Sequence, residues 1–280
     1  MSGASAGLSR AQTAQVAGHF GEWMQGRLGP EGPIALVTVP CPSLSLKLTL
    51  TPNDALQIVQ PDPPVLGSGR ASAFLHKLGQ PTMGRIHVIQ SFAPRRGTGA
   101  STAVLVALAR ACGVTDAEQI AAACRTVEGA SDPLMIDTPG RALWAPREGR
   151  TLRTFSAEPD LEIVGGVLGE GETTDPADTL FPDISDLVPV WAEALANGDH
   201  RRLAACASAS AQRTTALRGP ADDPIADLAQ DLGALGYLRA HTGPARGLIY
   251  APGSVPADAV PRLTAAGLAE VMRFRTIQIT

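Results

Sequence analysis

The sequence predicts an α+β fold in two parts. Three observations carry this. β-Branched or alternating runs suited to strands occur at 34–39, 44–50 and 85–90. Alanine-rich and amphipathic runs suited to helices are mixed irregularly among the strands. The texture then breaks at 139–156, where PGRALWAPREGRTLRTF is rich in Pro, Gly and Arg. We expect a boundary near residue 155, with 1–155 forming one domain and 156–280 the other.

The first half opens with His19-Phe20-Gly21-Glu22 and Gly26, read as a small-residue turn ahead of the first strand. A short helix is expected at 70–79. PRRGTG at 94–99 is a glycine-rich turn leading into an alanine-rich helix over 100–112. Thr115-Asp116-Ala117-Glu118 has capping-box spacing and opens a helix to about 128, with Ile120, Cys124 and Val127 on one face. The 139–156 stretch suits a hairpin or a crossover between halves. In the second half, strands are expected at 161–168, 247–251 and 273–279, and helices at about 186–197, 200–217, 223–240 and 256–270. The Pro- and Asp-rich segment 171–186 reads as a surface loop.

A chain of 280 residues with 44% apolar content buries a sizeable core without disulfides. Cys41, Cys112, Cys124 and Cys206 are far apart and form no CxxC pair, which argues for a reducing compartment and against a zinc site. The N-terminal segment has no apolar stretch of signal-peptide type and no run approaches a membrane span, so a soluble, cytoplasmic protein is expected. A net charge of −4 argues against general nucleic-acid binding. Only two of the 23 basic residues are lysines, Lys47 and Lys77, and neither lies in a glycine-rich stretch; a GxxxxGK[ST] phosphate loop is therefore excluded.

Four stretches can carry chemistry. Pro94-Arg95-Arg96-Gly97-Thr98-Gly99-Ala100-Ser101-Thr102-Ala103 sits between a strand and a helix. Glycines admit close backbone approach, free amides at a helix start point at an anion, and hydroxyls and arginines add donors. The same pattern also serves as a tight turn with a polar cap. Glu128 and Asp132, four residues apart at a helix end, can hold Mg²⁺ and orient a hydroxyl, or be a solvated acid and a turn cap. Gly21 and Glu22 can face a cationic or hydroxylated substrate, or be surface residues of a turn. His241-Thr242-Gly243 precedes the strand GLIYA and can form a backbone-lined loop over a site, or a plain helix C-cap. The histidines lack HxxxH or HExxH spacing, and no GxSxG elbow is present.

Together and in this order, GHFGEWMQG, PRRGTGASTA, VEGASDPLM with PGRALWAPREG, and HTGPARGLIY resemble the GHMP kinases. Within them they look most like the L-threonine kinases of cobalamin synthesis and the propanediol-utilisation kinases, over roughly residues 16 to 251. The resemblance implies a GHMP kinase fold, with an N-terminal domain like ribosomal protein S5 domain 2, a ferredoxin-like C-terminal domain, and ATP with Mg²⁺ in the cleft. It implies nucleotide binding by Pro94, Arg96, Gly97, Thr98, Gly99, Ala100, Ser101 and Thr102. It further implies Mg²⁺ binding by Glu128 and Ser101, a catalytic Asp132, and substrate contacts from Gly21, Glu22, His241, Thr242 and Gly243.

Three departures stand out: Phe20 where that branch has Cys, Ala100 where the loop has its first Ser, and Arg96 where it has Lys. Arg keeps the charge of Lys but not its geometry. The reaction implied is phosphorylation of the hydroxyl of L-threonine to O-phospho-L-threonine. Other small alcohols such as homoserine, and a nucleotide-binding protein without turnover, stay open. So does a homodimer.

Overall fold

The computed structural model describes residues 10–92, 94, 96–171, 177–220, 222–240 and 243–277. Ten strands and seven helices occur there, the strands joined into one mixed, mainly antiparallel sheet. The strand order is β10-β7-β9-β8-β1-β2-β4-β3, with β5 on β2 and β6 on β5. These are β1 Gln12–Arg27, β2 Ile34–Thr51, β3 Leu56–Val59, β4 Gly84–Gln90, β5 Ala142–Ala145, β6 Arg150–Thr154, β7 Glu162–Val167, β8 Gly236–Arg239, β9 Ala245–Tyr250 and β10 Ala269–Arg275. The helices are α1 Ser68–Lys77, α2 Ala100–Ala111, α3 Ala117–Glu128, α4 Leu187–Asn197, α5 His200–Arg218, α6 Ile225–Asp231 and α7 Ala259–Ala265.

The long β1–β2 hairpin is the spine. Its ladder runs from Gln12↔Leu50 to Arg27↔Ile34 with irregularities at Ala17/Gly18, His19/Glu22 and Glu22/Met24. Residues 18–24 are all buried, because α2 and α5 both pack on β1 and leave neither side open to water. A strand covered on both faces loses the apolar–polar alternation that marks a half-buried one. This is why the 19–22 segment, expected as a turn, is instead the irregular middle of a strand.

One register pair, Glu22↔Arg239, joins β1 to β8 and carries the sheet from the first half of the chain into the second. The Trp23 and Trp191 rings pack at 5.7 Å, and those of Phe20 and Phe274 meet edge-on at 5.4 Å. Phe20 lies over two glycines: a Cβ at Gly165 would come within 2.6 Å of its ring, and one at Gly247 within 3.3 Å. The Phe at this position is thus a core contact, matched by side-chain-free strands.

Several expected elements shift. Asp116, not Thr115, caps α3, accepting from the Gln119 amide at 2.7 Å. The helix expected over 223–240 ends at Asp231; Gly233, at φ +61°, turns the chain and 236–239 becomes β8. α7 is shorter than 256–270, and β10 begins at 269 rather than 273. In the 171–186 segment, the Pro182 carbonyl accepts from the Arg27 amide at 2.7 Å, so its described end is tied to β1. Cys41, Cys124 and Cys206 are buried and unpaired, and no described helix is long and apolar enough to cross a membrane.

Candidate active site

The loop between β4 and α2 is sewn to the spine. The His19 amide donates to the Thr98 carbonyl at 3.1 Å, and the Gly21 amide to that of Gly97 at 3.0 Å. Gly97 and Gly99 both have φ +71°, a conformation costly for residues with a Cβ. Space forbids a side chain as firmly: a Cβ on Gly99 would lie 2.4 Å from the His19 ring, and one on Gly97 2.8 Å from the Ala240 Cβ. From the other side, a Cβ on Gly243 would lie 2.7 Å from the Gly97 Cα. The two glycine loops expected from the sequence are therefore in contact.

Gly99 is the N-cap of α2 and supplies no side chain to cap it, so the first amides of the helix have no intrahelical partner. The buried Thr98 hydroxyl likewise has no hydrogen-bond partner among the described residues. A positive helix end and unclaimed donors, on a loop whose glycines are fixed by close packing, suit a phosphate group. On these grounds the residues fit a nucleotide polyphosphate.

α3 delivers the acids to the same place. Ser101, in the first turn of α2, donates a short hydrogen bond to Glu128 Oε1. Arg70 of α1 bridges both, with Nη1 2.9 Å from Glu128 Oε1 and 2.8 Å from Ser101 Oγ, while Nη2 donates to the Val65 carbonyl. A carboxylate and a hydroxyl already gathered round a cationic nitrogen are the hard oxygen donors that Mg²⁺ takes alongside phosphate oxygens. The pair fits that ion. No cluster of three or more His, Cys, Asp or Glu exists among the described residues, so the phosphates would have to complete the coordination. Burial, the dominant influence, raises the Glu128 pKa against the opposing Ser101 hydrogen bond and Arg70 charge.

Asp132 lies beyond the αL residue Gly129 (φ +76°) that ends α3. Its amide donates to Thr102 Oγ1 at 3.2 Å. Its neighbour Ser131 is anchored by its carbonyl, which accepts from Trp144 Nε1 at 2.6 Å, and by its amide, which donates to the Pro146 carbonyl at 3.0 Å. Asp132 Oδ2 stands 3.2 Å from Nε2 of His19, whose Nδ1 lies 3.2 Å from the Gly21 carbonyl and 3.9 Å from Glu22 Oε1. Burial works hardest against charge on His19, yet the charge and hydrogen bond of Asp132, then Glu22 and the Gly21 carbonyl, outweigh it and raise the pKa to about 9. Asp132 is held below its ordinary value: burial pushes it up, and the His19 charge and hydrogen bonds from His19 and Thr102 more than reverse that. At neutral pH the two form an imidazolium–carboxylate pair.

The expected residues thus fall into groups. Gly97, Thr98, Gly99, Ala100, Ser101, Thr102, Glu128 and Asp132 line one locus, with Gly21, Glu22 and Gly243 at its β1 and β9 side. Pro94 lies in the turn before the loop, and Arg96 is paired with Glu270 at 3.0 Å. Arg95, His241 and Thr242 lie outside the described residues. Two contributors carry no site signal in the sequence taken alone. His19 was visible inside GHFGEWMQG but read only as part of a turn; Arg70, in the unremarkable GSGRASAF, offered no signal at all.

No family profile matches the chain, and no curated protein matches it in sequence. Solved structures do match in fold. Mevalonate kinase of L. major in complex with R-mevalonate is 18% identical, with a TM-score of 0.69 over 97% of each chain. Streptococcus pneumoniae phosphomevalonate kinase is 13% identical, with a TM-score of 0.68 over 95% of this chain and 99% of that one. A putative homoserine kinase from Listeria monocytogenes is 17% identical, with a TM-score of 0.62 over 94% of this chain and 95% of that one. The chain has the fold of these proteins over nearly its whole length.

Proposed function

We propose that the protein is an ATP-dependent small-molecule kinase whose acceptor is the hydroxyl of L-threonine. One observation carries the kinase reading: the open N-terminus of α2, the Glu128–Ser101 pair and the Asp132–His19 pair meet at one locus. The threonine assignment rests on the resemblance of the four motifs.

ATP, bound with Mg²⁺, would supply the phosphoryl group. The first amides of α2 would hold the phosphate oxygens, and Glu128 Oε1 with Ser101 Oγ would hold the cation, drawing on Arg70 for charge balance. Asp132 would receive the acceptor hydroxyl. A carboxylate held below its ordinary pKa is a weak base, so its main task is to aim the oxygen and accept the proton once the new O–P bond is forming. That order suits a loose phosphoryl-transfer transition state, in which alignment and charge stabilisation do most of the work. His19 would keep Asp132 ionised and fix its direction.

The deciding experiment is turnover of Mg-ATP with a panel of threonine, serine, homoserine and mevalonate, measuring ADP and phosphorylated product. Threonine-dependent product supports the assignment. Turnover with another acceptor alone retains the kinase and moves the substrate. Nucleotide binding without any turnover would leave a sensor, a reading that the Ala100 departure in the phosphate loop favours.

A further inference from the structure

A cleft of about 340 Å³ opens beside Gly243, the glycine that packs on Gly97 of the phosphate loop, and three arginines line it: Arg218, Arg239 and Arg246. Two are already neutralised. Arg246 Nε lies 2.5 Å from Asp223 Oδ2, with both side chains almost fully buried, and Arg218 pairs with Asp178. Arg239 differs. It is only 7% exposed, and no carboxylate lies within ion-pair distance of it among the described residues. Its Nη1 donates to Thr215 Oγ1 at 2.7 Å and to the Gly219 carbonyl at 2.8 Å, and its Nε to the Ala240 carbonyl at 3.3 Å; Nη2 makes no hydrogen bond among the described residues. A buried cation whose hydrogen bonds all go to neutral oxygens, with the nearby Asp223 already paired to Arg246, is costly unless a further anion completes it.

Arg239 is also placed for the reaction. It is the register partner of Glu22 on β1, and Glu22 lies three residues from His19, the partner of Asp132. The next residue, Ala240, packs against Gly97 of the phosphate loop.

We propose that this cleft is the acceptor subsite and that Arg239 binds the carboxylate of a small hydroxy- or amino-acid substrate. The proposal deepens the kinase reading and rests on it for the identity of the ligand. A phosphate monoester shares the chemistry, but three arginines against the two carboxylates of Asp178 and Asp223 leave one positive charge, which matches a monoanion better than a dianion. The acid among the residues that line the cleft, Glu170, is exposed and screened by water. Burial first, then the nearby charges of Arg246 and Arg218, lower the Arg239 pKa to about 10 against the pull of Asp223, so it stays charged at neutral pH.

The test pairs two acceptors with two proteins. L-threonine and 1-amino-2-propanol share the reacting hydroxyl and differ in the carboxylate. The wild-type protein is expected to prefer threonine in kcat/KM, and Arg239→Met to lose roughly 10- to 100-fold with threonine and little with the amino alcohol. Arg239→Lys should recover part of the loss, because charge survives while the planar fork does not. Thermal melting of each variant separates local loss from unfolding. Equal loss with both acceptors, or a rise confined to the KM for ATP, would overturn the proposal.

Calorimetric titration of threonine into the intact protein distinguishes this failure from failure of the kinase reading. Binding that Arg239→Met abolishes, without turnover of any acceptor, keeps the subsite and removes the reaction. Wild-type-like threonine binding in a folded Arg239→Met protein, or inorganic phosphate binding that Arg239→Met abolishes while threonine binding persists, overturns the subsite itself.

Discussion

His19 Nε2 and Asp132 Oδ2 lie 3.2 Å apart, joining the middle of the first strand to the segment after α3. The His19 ring also fills the space where a Cβ of Gly99 would be. One buried imidazole therefore touches both the phosphate loop and the acid that faces it, and the predictions below follow from that junction.

The pair makes activity and stability pH-dependent. His19 titrates at about 9 in the fold against 6.5 in the open chain, so its contribution to stability is complete below 6.5 and is lost as pH rises through about 9. Asp132 is depressed, so its contribution is complete above 3.8 and is lost as pH falls through its lowered value. The rate should show an alkaline limb near pH 9, where the imidazolium disappears. His19→Gln should abolish that limb and lower kcat more than it raises the KM for ATP. Profiles of kcat and kcat/KM against pH, with mutant and wild type side by side, check this; an unchanged limb in the mutant assigns it elsewhere.

Asp132→Asn should reduce kcat by roughly 10²–10⁴ while nucleotide affinity stays within about threefold. Single-turnover rates and binding of a fluorescent ATP analogue provide the two numbers. If the variant instead unfolds and shows no separate kinetic defect, Asp132 is a structural cap.

Glu128→Gln removes the charge that Arg70 now satisfies and that Mg²⁺ would use. The Mg²⁺ concentration giving half-maximal nucleotide binding should rise by roughly 10- to 100-fold. Equilibrium binding at stepped Mg²⁺ concentrations reads this directly, without turnover, and metal-independent binding in the wild type would contradict the assigned ligand.

Gly99→Ala should be among the most damaging single-methyl additions in the protein. It combines a φ of +71° with a contact of 2.4 Å to the His19 ring. The strained backbone alone costs on the order of 1–3 kcal/mol, and the displaced ring would misplace Asp132. A lower urea midpoint together with a loss of kcat is expected; normal activity in a folded variant would show that the ring position does not matter.

The helices α2 and α3, the strand β4 and the two runs at 34–39 and 44–50 that join as β2 were legible because their periodicity and end signals are local, whereas β3 was not expected. Their positions differ from expectation by a residue or two, as at the α3 cap, where Asp116 takes the place predicted for Thr115. β1 and β8 were not legible. Residues 18–24 carry no alternation because both sides of β1 are covered, and GYLR reads as the tail of a helix until its pairing with β9 and β1 makes it extended. In the candidate site, the glycines and acids stood out by residue type and spacing. Arg70 and Arg239 did not, since an isolated arginine has no pattern and acquires meaning only from what surrounds it.

By itself the sequence determined that this chain holds no lysine-bearing phosphate loop, that glycines precede a helix at 97–99, and that one acid ends the next helix at 128 and another follows it at 132. Those are properties of neighbours along the chain. The tertiary structure alone decided that His19 meets Asp132 across 113 positions, that Gly97 abuts Gly243, and that one arginine on β8 is buried with no carboxylate within ion-pair distance among the described residues. Packing sets each of these, because burial and close approach depend on which strands share a sheet, and no local pattern encodes that.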